Sequence, residues 1–466
     1  MYLTSNKINY IFSHLQHHWV SDKQIVDSFV FVEQNKDISN KLNGRIIFRL
    51  SEEQRPEPSF KCFKGEDLPV LFPLSDDESL YKMDEFGNLW FSHDYLSSVF
   101  YLLSGMQELG DFKGDELSRF CFTNSLQYAY NFVSKPIVNY YFEVLLNGFE
   151  TYAKYHKLEI KRRRLFDNFG FILSHDVDRV AFHHPRLIAY KILQILGIRY
   201  TNYSKTTILK EVLYGLFFHI NPFRGNDPWW SFSWIIELEK RLGIRSTFYF
   251  LHREDGYKNA WFKFNSRKIK TLISRLKADK FEVGVHGTFK SATDLSSLIK
   301  QKSILASVYG REPVGVRQHY LLFSYPLTFR IQEDAGFVYD STLAFHDRDG
   351  YRNGYCHPFH PYDLERDCAM DIWEIPLVMM EVSVLQYRKL SYEEMHNAVK
   401  HYIIEAQKFG GIFSLLWHNC RLNDFEYSGI TKFYEELLCD IIQKNPEIHT
   451  GESLIGKTNL FLDFFD

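Results

Sequence analysis

From residue 169 onward, short apolar runs of strand length alternate with helix-patterned segments, and no other feature restricts the fold of this chain as tightly. Residues 171–173 lead into His175-Asp176-Val177-Asp178, and further runs lie at 246–251, 281–285, 315–316, 373–379 and 412–417. Between them, residues 229–241, 269–278, 326–335 and 392–409 carry apolar side chains at helical spacing, with Asp227-Pro228 as a start signal and Gly243, Gly336 and Gly410-Gly411 as stops. This order predicts parallel strands with helices outside them. With about seven such units, a closed or nearly closed barrel is expected rather than an open sheet. The predicted class is α/β: a distorted (β/α)7-type barrel over 165–466, with a helical insertion near 186–225, preceded by a smaller α+β domain over 1–150.

The first 150 residues read as a separate unit. Strand-like runs at 25–32, 45–50 and 68–72 precede helical patterns at 95–103 and 137–145. No cluster of His, Cys and carboxylates stands at metal-ligand spacing there, and no chemistry is expected of this unit. The run Lys161-Arg162-Arg163-Arg164 reads as a solvated boundary segment. Lys plus Arg is 55 against 58 Asp plus Glu, a balance that excludes nucleic acid as the expected partner. The six cysteines form no Cys-x-x-Cys pair, so neither a zinc ribbon nor a dithiol motif is indicated, and reduced thiols in a cytoplasmic protein are expected. The polar N-terminus shows no apolar signal region, and no apolar run is long enough to cross a bilayer. The apolar stretches at 188–198 and 208–220 are broken by Lys and Arg. They read as an internal packing face, with weak contact to a membrane surface through 186–225 as the other reading. His183 and His184 read as surface loop.

Several acids, imidazoles and one guanidinium stand where an apolar run stops: Asp176 and Asp178 after the first, His286 after the third, Arg317 and His319 after the fourth, His418 after the last. In a parallel barrel these strand ends share one face, where active sites are built. A divalent ion takes carboxylate oxygen and imidazole nitrogen together, polarises a carbonyl and acidifies a bound water. A base, a cation beside that base and an acid for the leaving group complete the needs of a hydrolase.

The segments 171–178, 284–289, 315–320 and 414–419 resemble the successive motifs of the polysaccharide deacetylase family, the NodB-homology group of carbohydrate esterases. The resemblance covers roughly 165–425 and implies a distorted barrel that removes acyl groups from amino sugars with a divalent metal ion, zinc being expected. It implies Asp176 as catalytic base, Asp178 and His286 as metal ligands, Arg317 as the group that orients the base, and His418 as the acid. Pro376 is expected in the strand that walls the pocket. The family's second metal histidine would stand at Lys290; either the ion keeps only Asp178, His286 and waters, or another group substitutes, for which His319 is the candidate, or no metal binds. His175, Tyr320, Asp340, Arg352 and Trp417 are expected to touch substrate. The N-terminal unit resembles an uncharacterised domain that precedes some bacterial deacetylase-like barrels.

The expected function is therefore metal-dependent hydrolysis of an N-acylated sugar, a non-peptide C–N bond, in glycan or cell-envelope precursor metabolism. The alternatives are a non-catalytic glycan-binding protein on a decayed barrel, which Lys290 favours, and an amidohydrolase of small ureides.

Overall fold

In the computed structural model, residues 3–36, 42–53, 55–76, 78–201, 204–221, 227–253 and 258–463 are described. The chain is α/β. The barrel strands are β1 (Gly170–Val177), β2 (Thr247–Leu251), β3 (Glu282–Gly287), β4 (Gly315–Gln318), β5 (Tyr339–Asp340), β6 (Trp373–Glu374), β7 (Met379–Met380), β8 (Ile412–Leu416) and β9 (Glu447–His449). They form one curled sheet in the order β6-β5-β4-β3-β2-β1-β8-β7, with β9 added beside β1, and every pairing is parallel. Apart from β9, at the margin of the sheet, the strands are short and buried on both faces, as parallel strands covered by helices must be.

The run at 373–379 is not one strand. It divides into β6 and β7, the two ends of the sheet, and Pro376 lies in the gap. Proline has no N–H to give a ladder. The Ser414 hydroxyl fills in by donating to the Pro376 carbonyl (2.5 Å) and accepting from the Val378 amide (2.8 Å). The two ends of the curled sheet are therefore linked by the chain itself and not by a ladder, which is its distortion. The long helix Tyr392–Phe409 feeding β8 starts with a capping box at Ser391 and Glu394 and stops at Gly410, whose φ of +64° suits glycine.

The smaller N-terminal part is α+β. A four-stranded sheet (Phe29–Glu33, Ile46–Leu50, Leu89–Phe91, Tyr81–Met83) packs against the helices Ser5–Leu15, Tyr95–Leu103 and Ile137–His156. The run expected as one strand at 25–32 begins as a helical turn, Lys23–Asp27, before the strand. The basic run is not a free solvated segment either. Ile160–Arg162 pairs with Trp19–Ser21, and Arg162 is held by Glu143, Asn147 and Glu150 at 2.6–2.9 Å. One apolar core runs from this part into the barrel. Among the described residues no helix is long and apolar enough to cross a membrane.

Candidate metal centre

Side chains two residues apart on a strand point to the same face. Asp176 and Asp178 form one such pair at the end of β1, and Arg317 and His319 form another at the end of β4. The two pairs face each other as two rungs. In the lower rung Arg317 Nη1 donates to Asp176 Oδ1 at 2.9 Å; in the upper, His319 Nδ1 stands 3.5 Å from Asp178 Oδ1. His286, the last but one residue of β3, comes between them, with Nε2 3.5 Å from Asp176 Oδ2 and 3.3 Å from Asp178 Oδ1. His418, just past β8, brings Nε2 to 3.7 Å from Asp178 Oδ2. These six residues line a cavity of about 420 Å³, apart from Arg317, which lies beneath it.

Hydrogen bonds fix the direction of each ring. His286 Nδ1 faces the Arg317 carbonyl at 2.8 Å and His319 Nε2 faces the Lys258 carbonyl at 3.0 Å. A carbonyl only accepts, so these nitrogens carry the protons, and the opposite nitrogens, 3.2 Å apart, present lone pairs to the centre when the rings are neutral. Asp178 Oδ1 is buried among them and accepts no hydrogen bond. One carboxylate oxygen and two imidazole nitrogens within 4.8 Å of one another, with an orphaned oxygen between, fit a divalent cation.

The electrostatics follow the same arrangement. Burial works to raise the Asp178 carboxyl, but the imidazoles of His319, His286 and His418 outweigh it and hold the group far below the usual carboxylate range. Burial lowers His319 to about 4, against the pull of Asp178. Burial also opposes charge on His286, and the two aspartates reverse that and raise it. His418 behaves differently because of Glu381, which lies just past β7. The Glu381 carboxylate takes His418 Nδ1 at 2.7 Å and the His418 amide at 3.2 Å. Burial again disfavours the imidazolium, yet Glu381 chiefly, then Asp178 and Asp176, push it up to about 9.

Arg317 is fully committed. It donates to Ser174 Oγ (2.9 Å), Asp176, the Ser341 carbonyl (2.7 Å) and Ser341 Oγ (3.0 Å), and its guanidinium lies 4.4 Å over the Tyr249 ring. Lys290, in contrast, lies in the turn after β3 and is exposed, its Nζ paired with Asp294 at 2.8 Å.

Of the residues expected to touch substrate, Tyr320 lines the cavity, its ring centroid 3.8 Å from that of His319. The other four lie elsewhere. His175 is enclosed between the Trp417 carbonyl and Glu239, at 2.7 Å each. Trp417 packs into the core against Phe433 and Tyr434. Asp340 is buried, accepting from Gln332 (2.9 Å) and Thr342 (2.5 Å). Arg352 is drawn to the N-terminal part, where it makes a two-pronged contact with Glu108 at 2.8 and 2.5 Å and donates to the Ala344 carbonyl at 2.7 Å. His183 is buried rather than on the surface, its amide held by Asp227 at 3.0 Å.

Two further residues belong to the site, Glu381 behind His418 and Arg119 on the cavity wall. Glu381 obeys the same strand-end rule as the others, since it follows Met379-Met380. Arg119 comes from the N-terminal part, where no chemistry was expected. It reaches the cavity by donating to the Tyr320 carbonyl at 2.8 Å while Asp115 holds its other side. A second cluster, Cys121, His346 and Asp347, also stands at metal-ligand distance, but Asp347 there accepts from the Phe122 amide at 3.2 Å and no orphaned oxygen marks it.

Solved structures similar to this chain include a polysaccharide deacetylase candidate from Mycobacterium smegmatis (13% identity, TM-score 0.41), covering 64% of this chain and 92% of the other. They also include the chitin deacetylase of the fungal pathogen Colletotrichum lindemuthianum (13% identity, TM-score 0.32), covering 62% and 88%. A CE4 family pseudoenzyme from Bacillus anthracis is similar at 7% identity and a TM-score of 0.32, covering 62% of this chain and 65% of its own. No curated protein sequence matches this chain significantly. Residues 2–153 match a family of unknown function, DUF7033.

Proposed function

We propose that the protein is a metal-dependent hydrolase that removes an acyl group from an N-acylated sugar, a non-peptide C–N bond, in glycan or cell-envelope precursor metabolism. The observation that carries this reading is the orphaned, buried Asp178 Oδ1 between two imidazole lone pairs. Asp178, His286 and His319 would hold the ion, and zinc suits a donor set of nitrogen and carboxylate oxygen. When bound, such an ion polarises the amide carbonyl and makes its water a nucleophile. Asp176 keeps Oδ2 toward the centre while Arg317 fixes Oδ1, which places it to take the proton of the attacking water. His418, charged at neutral pH and oriented by Glu381, protonates the departing amine. The cavity, about 420 Å³, suits one or two sugar rings, and Tyr320 supplies an aromatic wall.

The test is to measure divalent metal content by mass spectrometry and to assay acid release from N-acetylated amino sugars beside hydrolysis of small ureides. Stoichiometric metal and turnover of the sugars are expected, both lost together in Asp178→Asn. His418→Ala should keep the metal and slow turnover by about 10²–10⁴-fold. Neither metal nor turnover would indicate the decayed, glycan-binding barrel, and turnover of ureides alone the amidohydrolase.

A further inference from the structure

The insertion between β1 and β2 is a helical hairpin, Pro185–Ile195 and Lys205–Ile220. Its inner face is a small core of Ile188, Ile208 and Val212, closed at Gly215, where a Cβ would come within 3.0 Å of the Ile188 side chain. Its outer face is apolar as well. Leu209, Leu213, Leu216, Phe217 and Ile220 recur at helical spacing and are 46–79% exposed. Leu196 and Ile198 continue the surface at the turn, 64% and 65% exposed. Eleven large apolar side chains between residues 190 and 220 are exposed. A helix apolar all round is normally buried, and an apolar patch this large on a globular protein marks an interaction surface. The packing face expected from the sequence is thus only half internal.

Charge identifies what covers the rest. Residues 185–221 hold five Lys and Arg and one acid, Glu211, in a chain whose net charge is −3. Glu211 is paired with Lys191 at 3.0 Å, so the two cancel and Arg186, Arg199, Lys205 and Lys210 remain as the basic excess. An apolar helical stripe with basic neighbours is the pattern of an element lying in the interface of an anionic bilayer. A symmetric pairing with a second copy would set two such basic hairpins face to face, which like charges oppose.

The hairpin is also continuous with the cavity rim. Tyr214 stacks on Phe425 (centroids 5.8 Å apart), and Phe182 packs edge-on against Phe425 and Trp229 (5.4 and 5.3 Å). Trp229 and Glu426, next to Phe425, line the cavity mouth and are joined by a hydrogen bond of 2.6 Å.

We infer that the hairpin Pro185–Ile220 docks on an anionic membrane surface and seats the mouth of the cavity beside the lipid headgroups. Where the hydrolase reading holds, and resting on it, the substrate presented there is an acylated sugar carried by a lipid. The docking itself needs no turnover and is tested without it. Full-length protein is floated with phosphatidylcholine vesicles with and without phosphatidylglycerol. Binding is expected only with the anionic lipid, weakened about tenfold or more by high salt. Leu213→Asp with Phe217→Asp should weaken it by about tenfold or more, with an unchanged thermal melt because both side chains are already exposed. Asp178→Asn should float like the parent, so a failed hydrolase and a failed membrane dock are told apart. Absence of flotation with the anionic vesicles, or flotation that survives the double variant, overturns the inference. So does a dimer in sedimentation that the same double variant dissociates, which would make a second copy the occupant.

Discussion

Removing His319 should cost the protein its metal, whereas removing Lys290 should not. In the resembling family's pattern the second histidine would stand at residue 290, but the Lys290 side chain is 68% exposed and tied to Asp294 at 2.8 Å. His319 Nδ1 lies 3.2 Å from His286 Nε2 and 3.5 Å from Asp178 Oδ1. Zinc held by four protein ligands binds with about 10–16 kcal/mol, so one ligand's share is about 2.5–4 kcal/mol. Every 1.4 kcal/mol is a factor of ten, so His319→Ala should weaken binding by roughly 10²–10³-fold. The contact to the Lys258 carbonyl that is also lost is made by Nε2, on the opposite side of the ring from the candidate ligand atom Nδ1. The assay is competitive titration of metal-stripped protein with Zn²⁺ against a chelating dye, with Co²⁺ absorption as a check on ligand number. Lys290→Ala should titrate like the parent. A His319→Ala protein that binds as tightly as the parent, with its fold intact by circular dichroism, would refute the assignment, as would loss of affinity in Lys290→Ala.

Two further outcomes follow from the surrounding contacts. His418 can donate a proton only while charged, and Glu381 is the chief reason it stays charged up to about 9. Glu381→Gln should therefore move the basic limb of the kcat/KM profile to lower pH, a loss of about tenfold or more near pH 8 that largely recovers near pH 6; a limb that does not move would remove Glu381 from this role. Arg352→Met leaves Glu108 buried without its partner and should destabilise the protein by about 3–5 kcal/mol in urea unfolding, with part of that recovered by adding Glu108→Gln. A change below about 1 kcal/mol would show that this contact does not hold the two parts together.

The strand-end rule worked where it rested on visible physics. Apolar runs of strand length are legible in sequence, and a polar residue that ends one is carried to the open face of a parallel barrel. Asp176, Asp178, His286, Arg317, His319 and His418 all meet that way. Adjacency to a motif was a poorer guide. His175 and Trp417 are each one residue before a residue of the site, and successive side chains on a strand point to opposite faces, so both turn into the packing behind the sheet. Arg352 was misplaced for a different reason. Its partner, Glu108, lies 244 residues earlier in the other part of the chain, and no local pattern announces such a pair. The same limit applies to the 185–220 hairpin, where helical periodicity is plain but cannot say which apolar face finds a partner.

The two rungs explain how the candidate centre forms without a ligand at residue 290. A ligand pair three or four residues apart draws both its donors from one stretch of chain. Here the second nitrogen comes from the neighbouring strand instead, and the register makes that placement dependable. His286 on β3 is directly opposite Arg317 on β4, so His319, two residues on, stands one rung above Arg317 on the same face. The pair of acids at the end of β1 is spaced the same way, and Asp178 meets His319 as Asp176 meets Arg317. The lower rung is thus a positioning device for the upper one. Its guanidinium, fastened at Ser174, Asp176 and Ser341, ties together the strands that carry the candidate ligands. In the resembling motif the arginine is assigned to the base alone. In this chain the same guanidinium also stands one rung below the Asp178–His319 contact, so its fastening bears on both pairs.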